Sequence, residues 1–150
     1  MALSILVLNG PNLNLLGTRQ PDVYGATTLE QVEDLCRSEA EALGVSLAFE
    51  QSNHEGVLVD SIQNAKSKHD GIVFNAGAYT HTSIALADAI ASVEIPTLEL
   101  HVSNVHAREE FRQKSFMSPV VLGQICGLGV NGYPLAVRAM AQYLEAQSDD

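Results

Sequence analysis

The strongest constraint in this chain is an alternation. Five short apolar runs, rich in β-branched residues, are each followed by a stretch with helical spacing. The runs are 4–8 "SILVL", 45–50 "VSLAFE", 71–77 "GIVFNAG", 96–101 "PTLELH" and 119–126 "PVVLGQIC". They are apolar at successive positions rather than alternate ones, which suits strands covered on both faces of a parallel sheet. Helical spacing fills 28–43, 54–68, 82–92 and 134–146, with a shorter stretch at 106–114. The first helix opens on Thr27 with Glu30 or Thr28 with Gln31, and stops at Gly44. The second follows Ser52-x-x-Glu55 as another capping box, with cations in its last turn.

Repeated strand–helix alternation predicts one doubly wound α/β domain over residues 1–150, with the last five or so residues frayed. Five strands favour the flavodoxin-like order 2-1-3-4-5 over a six-stranded dinucleotide fold. At 150 residues the chain can bury a proper core, and without tryptophan that core must come from Val, Leu, Ile and Ala. The formal charge of −10 argues against nucleic acid or an anionic membrane surface as partner. It leaves room for a small anionic substrate, because a site can be locally positive. The N-terminal apolar run stops at Asn9-Gly10-Pro11 without a basic region before it, so neither a secretory signal nor a membrane span is expected. The default location is the cytoplasm. Cys36 and Cys126 are far apart and read as buried free thiols.

In an open α/β sheet, ligands bind beyond the carboxyl ends of the strands, near the switch in strand order. For order 2-1-3-4-5 the switch lies between the first and third strands. After the first strand come Asn9, Asn12, Asn14 and the loop "GTRQPDVYG" (17–25), which carries Arg19 and Tyr24. After the third come Asn75 and "GAYTH", leading to His81. The fourth ends "LELH", putting Glu99 and His101 on one side of that strand, and "VSNVHAREEFR" supplies Ser103 and Arg112. The turns at the opposite sheet edge, "LGV", "KHDG" and "EIP", are plain connections.

Each residue also has a plain structural reading. Asn12 and Asn14 can cap turns around Pro11, His81 can be a surface residue, and Glu99 with His101 can be a satisfied core pair. Tyr24 can merely anchor its loop. His54 and His69 read as solvated, and His106 as lining a short helix. His101 and His106 stand five apart without a third partner at ligand spacing, so no metal is expected. As chemistry, a guanidinium near a phenol favours the phenolate, which can take a proton next to a carbonyl. A histidine held by a carboxylate can then give a proton to a leaving hydroxyl, and asparagine amides can steady an enolate. Imine chemistry fits poorly: Lys66 and Lys68 lie ahead of the third strand, and Lys114 is at the tail of the polar loop.

The segments "LVLNGPNLNLLGTRQPDVYG", "FNAGAYTHTSIALADAI", "ELHVSNVHAREEFR" and "SPVVLGQICGLGVNGY" resemble the type II 3-dehydroquinate dehydratases, and the likeness runs from Ile5 to about Leu144. That resemblance implies a flavodoxin-like enzyme of shikimate biosynthesis that converts 3-dehydroquinate to 3-dehydroshikimate and water without a cofactor. It implies that Tyr24 removes the C2 proton with Arg19 beside it, and that Asn12 steadies the enolate through a water. His101, positioned by Glu99, would be the general acid. Asn75, His81 and Arg112 would bind the ring hydroxyls and the carboxylate region, and Ser103 and the backbone around Val102 would hold the carboxylate. It further implies trimers grouped into a dodecamer, with Asp88 reaching into a neighbour's site, and a lid over 17–25 hinged near Gly17 and Gly25. The rival reading from the residues is a nucleotide- or flavin-binding module. Against it, "NGPNLNLLGTR" lacks the density of a phosphate cradle, and "GLGVNG" (127–132) is a weak glycine run.

Overall fold

The computed structural model describes residues 2–149. Five parallel strands, β1 (Ser4–Asn9), β2 (Ser46–Gln51), β3 (Gly71–Asn75), β4 (Thr97–His101) and β5 (Gly123–Cys126), form one sheet in the order β2-β1-β3-β4-β5. The helices are a single turn α1 (Pro21–Tyr24), then α2 (Leu29–Leu43), α3 (Glu55–Ala65), α4 (Ile84–Val93) and α5 (Gly132–Ser148). The anticipated strand order holds, and so do the positions of the four longer helices. Among the described residues no helix is long and apolar enough to cross a membrane.

Alternation of side chains along each strand divides the core in two. Ile5 and Val7 of β1, Val73 of β3 and Leu100 of β4 join Val32, Cys36, Val137 and Met140 beneath α2 and α5. Leu6, Leu8, Ile72 and Phe74 face the other way, onto Leu58, Ile62, Leu86 and Ile90 of α3 and α4. The central strands β1, β3 and β4 are therefore buried almost throughout, which is why they read as continuous apolar runs. The edge strands β2 and β5 are only partly covered.

Between Thr27 and Thr28, the structure selects Thr28 as the cap of α2. Its hydroxyl accepts from the Gln31 N–H while the Gln31 side chain accepts from the Thr28 N–H. Thr28→Ala is expected to cost about 1 kcal/mol, read as a lowered midpoint in urea unfolding with an unchanged slope. Gly44 closes the helix in the left-handed region, at φ 71°.

Several expectations are corrected. Ser52 does not box α3: its Oγ accepts from the His54 N–H, tightening the turn before the helix, and α3 ends at Ala65, so Lys66 and Lys68 fall beyond it. Residues 118–120 form a 3₁₀ turn, closed by the Val120 N–H donating to the Met117 carbonyl. Pro119 has no N–H for a ladder, so β5 begins only at Gly123. The stretch 106–114 is two 3₁₀ turns, Val105–Ala107 and Glu110–Arg112, separated by extended backbone at Arg108 and Glu109. His69 is not freely solvated: its Nδ1 lies 2.7 Å from the Ser4 hydroxyl, and partial burial lowers its pKa.

Both cysteines are free. Burial pushes the Cys36 thiol up to about 12, an inert core group. Cys126 is half-buried rather than buried.

Candidate active site

β1 and β3 are neighbours, but the chain leaves them on opposite faces of the sheet, so a crevice opens past their carboxyl ends. The two loops meet there closely. The Gly10 N–H donates to the Asn75 carbonyl at 2.8 Å, and a Cβ on Gly10 would stand 2.4 Å from the Ala76 oxygen. Asn12 follows in the left-handed region, at φ 68°, with its N–H donating to the Asn53 side-chain oxygen. The cleft is lined by Asn12, Arg19, Tyr24, Asn75, His81, His101, Val102, Ser103, Arg108 and Arg112, which come from the last residues of β3 and β4 and from the loops after β1, β3 and β4. Every residue to which the resemblance gave a catalytic or binding role lines it except two. Glu99 lies buried behind His101, and Asp88 stands exposed on α4, away from this chain's cleft.

The segment 17–25 is not a plain loop. It holds α1, whose first residue Pro21 sets the backbone for a single turn that ends at Tyr24. The flanking Gly17 and Gly25 have φ of 93° and 82°, a region that favours glycine. α1 presents the Tyr24 ring beneath two guanidinium groups: Arg19 lies 5.1 Å and Arg108 5.3 Å from its centre. Only Arg108 reaches the phenol oxygen, donating from Nη1 at 2.7 Å, and it also donates to the Ser103 hydroxyl at 3.3 Å. Sequence reasoning missed Arg108, because the expected helix over 106–114 gave no reason to turn it toward the cleft. The extended backbone at Arg108 does so.

Glu99 and His101 meet as their two-residue spacing implied, with Nε2–H of His101 donating to Glu99 Oε2 at 2.6 Å. His101 Nδ1 makes no hydrogen bond, and among the described residues no buried side-chain nitrogen or oxygen lacks a partner. Nδ1 is therefore the ring atom left open to the cleft. Burial by itself would raise the Glu99 pKa. The hydrogen bonds from His101, Gln124 and Thr80 and the nearby imidazole charge outweigh it, holding the carboxyl below its ordinary value. Thr80, Ser115 and Gln124, which all donate to Glu99, left no signal in the sequence, since their partner is remote along the chain.

His81 stacks near His101, with ring centres 6.4 Å apart, and gives Nδ1–H to the Lys114 carbonyl at 2.7 Å. That bond fixes the neutral tautomer with Nε2 as acceptor. Burial is the main reason its pKa is lowered. Asn75 is anchored from behind. Its Nδ2 donates to the Tyr133 hydroxyl, which donates in turn to Asn9, while its Oδ1 accepts the Gly77 N–H. Arg112 is braced by Glu109 at 2.7 Å.

The lowered pKa values carry a stability consequence. His69 and His81 titrate lower in the folded chain than in the unfolded one, so the unfolded chain binds more protons below about pH 6.5. Stability from these groups is complete above that pH and is lost as pH falls through their folded values. Glu99, also lowered, adds a further loss below about pH 4.3. The thermal midpoint is expected to be level from pH 8 to 7 and to fall steadily from about 6.5 downward. A midpoint that stays level to pH 5 would contradict this.

The cleft thus gathers a phenol under two cations, a carboxylate-held histidine and fixed amides, without a cluster of three metal-ligating side chains among the described residues. The family model described as dehydroquinase class II matches residues 3–141. The chain is 61% identical over 142 residues to a 3-dehydroquinate dehydratase of Dinoroseobacter shibae, covering 95% of each. It is 63% identical over 144 residues to one of Ruegeria pomeroyi, covering 96% of this chain and 97% of that protein. A crystal structure of type II dehydroquinase from Butyrivibrio crossotus superposes with a TM-score of 0.91 at 45% identity, covering 94% of this chain and 98% of the other. Fold, cleft and sequence agree over nearly the whole chain: it belongs to the type II dehydroquinases.

Proposed function

We propose that this protein dehydrates 3-dehydroquinate to 3-dehydroshikimate in the shikimate pathway, by anti elimination through an enolate. The observation that carries the reading is the phenol oxygen of Tyr24, hydrogen-bonded by Arg108 in a cleft that His101 also lines. The names of the similar dehydratases supply the substrate.

Elimination next to a ketone needs a base at C2, a steadied enolate and an acid at the departing C1 hydroxyl. Tyr24, as phenolate, takes the C2 proton. Arg108 and Arg19 bring positive charge to that oxygen and ring, where phenolate charge must reside. Asn12, at the mouth of the β1 loop, steadies the enolate oxygen through a water. His101 protonates the leaving hydroxyl from Nδ1, and Glu99 stabilises its imidazolium form. Ser103 and the backbone at Val102 hold the substrate carboxylate, while Asn75, His81 and Arg112 meet the ring hydroxyls and the carboxylate region. None of these steps uses a lysine imine. The test is incubation of the purified protein with 3-dehydroquinate, watched for the ultraviolet absorbance of the conjugated enone. Its steady growth supports the reading, and a flat trace overturns it.

The assembly belongs to the same proposal: trimers grouped into a cytoplasmic dodecamer, with Asp88 entering a neighbour's cleft. Asp88 and Ile84, the latter 60% exposed, lie on the outer side of α4, a surface suited to a second copy. Light scattering on the eluting protein is expected to give about twelve chain masses, and Asp88→Arg to reduce that mass. A monomeric wild type would contradict the assembly.

A further inference from the structure

The segment from Lys114 to Ser118 touches His81 directly and reaches His101 through Glu99, although it does not line the cleft itself. The Lys114 carbonyl accepts Nδ1–H of His81, and the Phe116 N–H donates to the Thr80 carbonyl at 2.8 Å. Between them sits Ser115, whose Oγ lies 2.9 Å from both oxygens of Glu99. The same Oγ accepts the N–H groups of Met117 and Ser118, each at 3.0 Å. Those two bonds occupy the hydroxyl's acceptor side, so its single proton is directed onto the carboxylate.

Glu99 is caged as a result. Thr80 Oγ donates to Oε2 at 2.9 Å, Gln124 Nε2 donates to Oε1 at 2.8 Å, and Ser115 spans both, leaving His101 as the remaining partner. Thr80, Ser115 and Gln124 are neutral. They fix the carboxylate in place and satisfy its lone pairs without cancelling its charge, so the charge is left to act on His101, which it meets directly. The other titratable groups facing this pair are His81, stacked on His101, Cys126 on β5 and Arg112 beside His81.

We propose that Ser115 is a positioning residue: through one hydroxyl it aims Glu99 at His101, and through its strand of chain it holds His81 in the matching tautomer. This rests on the dehydration reading for its kinetic readout but has a second readout that needs no substrate. Without the hydroxyl, Glu99 can rotate and His101 is no longer held with Nδ1 toward the cleft.

The experiment compares wild type with Ser115→Ala, Ser115→Thr and Gln124→Met. Ser115→Ala is expected to lower kcat about tenfold, a part of the 10²–10⁴ that a placed acid supplies, with KM within about twofold. Ser115→Thr, which keeps the hydroxyl, should recover most of that loss. Gln124→Met, on an exposed edge strand, should lower kcat about threefold. In ¹⁵N-histidine spectra of the substrate-free protein, the downfield His101 Nε2–H signal should weaken in Ser115→Ala and return in Ser115→Thr. If Ser115→Ala keeps kcat within twofold and leaves that signal unmoved, the proposal is overturned. Should Ser115→Ala fail to fold, a Gln124→Met protein with unchanged kcat and signal overturns it equally. Wild type that does not turn over 3-dehydroquinate sinks the dehydration reading, while the spectra still decide the role of Ser115.

Discussion

Tyr24→Phe is expected to lower kcat about 10³-fold, the middle of the range a positioned base contributes, with KM changed no more than about threefold. That loss corresponds to about 4 kcal/mol of transition-state stabilisation. The reason is local. Arg108 hydrogen-bonds two hydroxyls of the cleft, those of Tyr24 and Ser103, and of these only the phenol of Tyr24 can serve as a base through its anion, a serine alkoxide being far too basic. Its ring packs against two cations and is half-buried, so phenylalanine keeps the packing and removes only the oxygen. The unfolding midpoint should therefore be unchanged, which separates lost chemistry from lost structure. Full turnover by Tyr24→Phe would remove tyrosine from the base role.

The second large effect is expected at Arg108. Its Nη1 bond to Tyr24 is charge-assisted once the phenol ionises, and losing such a bond costs about 2–3 kcal/mol. Arg108→Met should lower kcat about 10²-fold. Arg108→Lys should recover only part, because an ammonium cannot reach both Tyr24 and Ser103 in the fork geometry of a guanidinium. Arg19, which stacks on the ring without reaching its oxygen, acts on the same charge. Arg19→Met combined with Arg108→Met should therefore fall short of the product of the two single losses, as groups acting as a unit do. Independent, fully multiplicative losses would mean that the two cations serve different steps.

Much of this molecule was legible before any coordinates. The buried central strands announce themselves as unbroken apolar runs, and their count with the intervening helices was enough to give the sheet order. The polar ends of β1, β3 and β4 pointed to the cleft because a parallel sheet puts those loops together. What was not legible has a common cause: it depends on backbone that hydrogen bonds bend away from its local pattern. "PVVL" has the composition of a strand, yet Pro119 and the turn onto Met117 delay pairing until Gly123. "HAREEFRQK" has helical composition, yet Asn104 accepts the His106 N–H and starts a tight turn instead, after which extended backbone delivers Arg108 to Tyr24. Ser115 and Gln124 meet Glu99 from 16 and 25 residues away, a contact that no spacing rule encodes. Arg19 was read correctly as a cation beside Tyr24, but the cation on the phenol oxygen came from another loop.

The most direct measurement of the central claim uses 3-dehydroquinate carrying deuterium at one or the other C2 position, with the product analysed by mass spectrometry. Anti elimination with Tyr24 as base and His101 as acid predicts that the deuteron anti to the C1 hydroxyl is lost and the syn deuteron is retained. Loss of the syn deuteron, or a product trapped on a lysine by borohydride, would contradict the account.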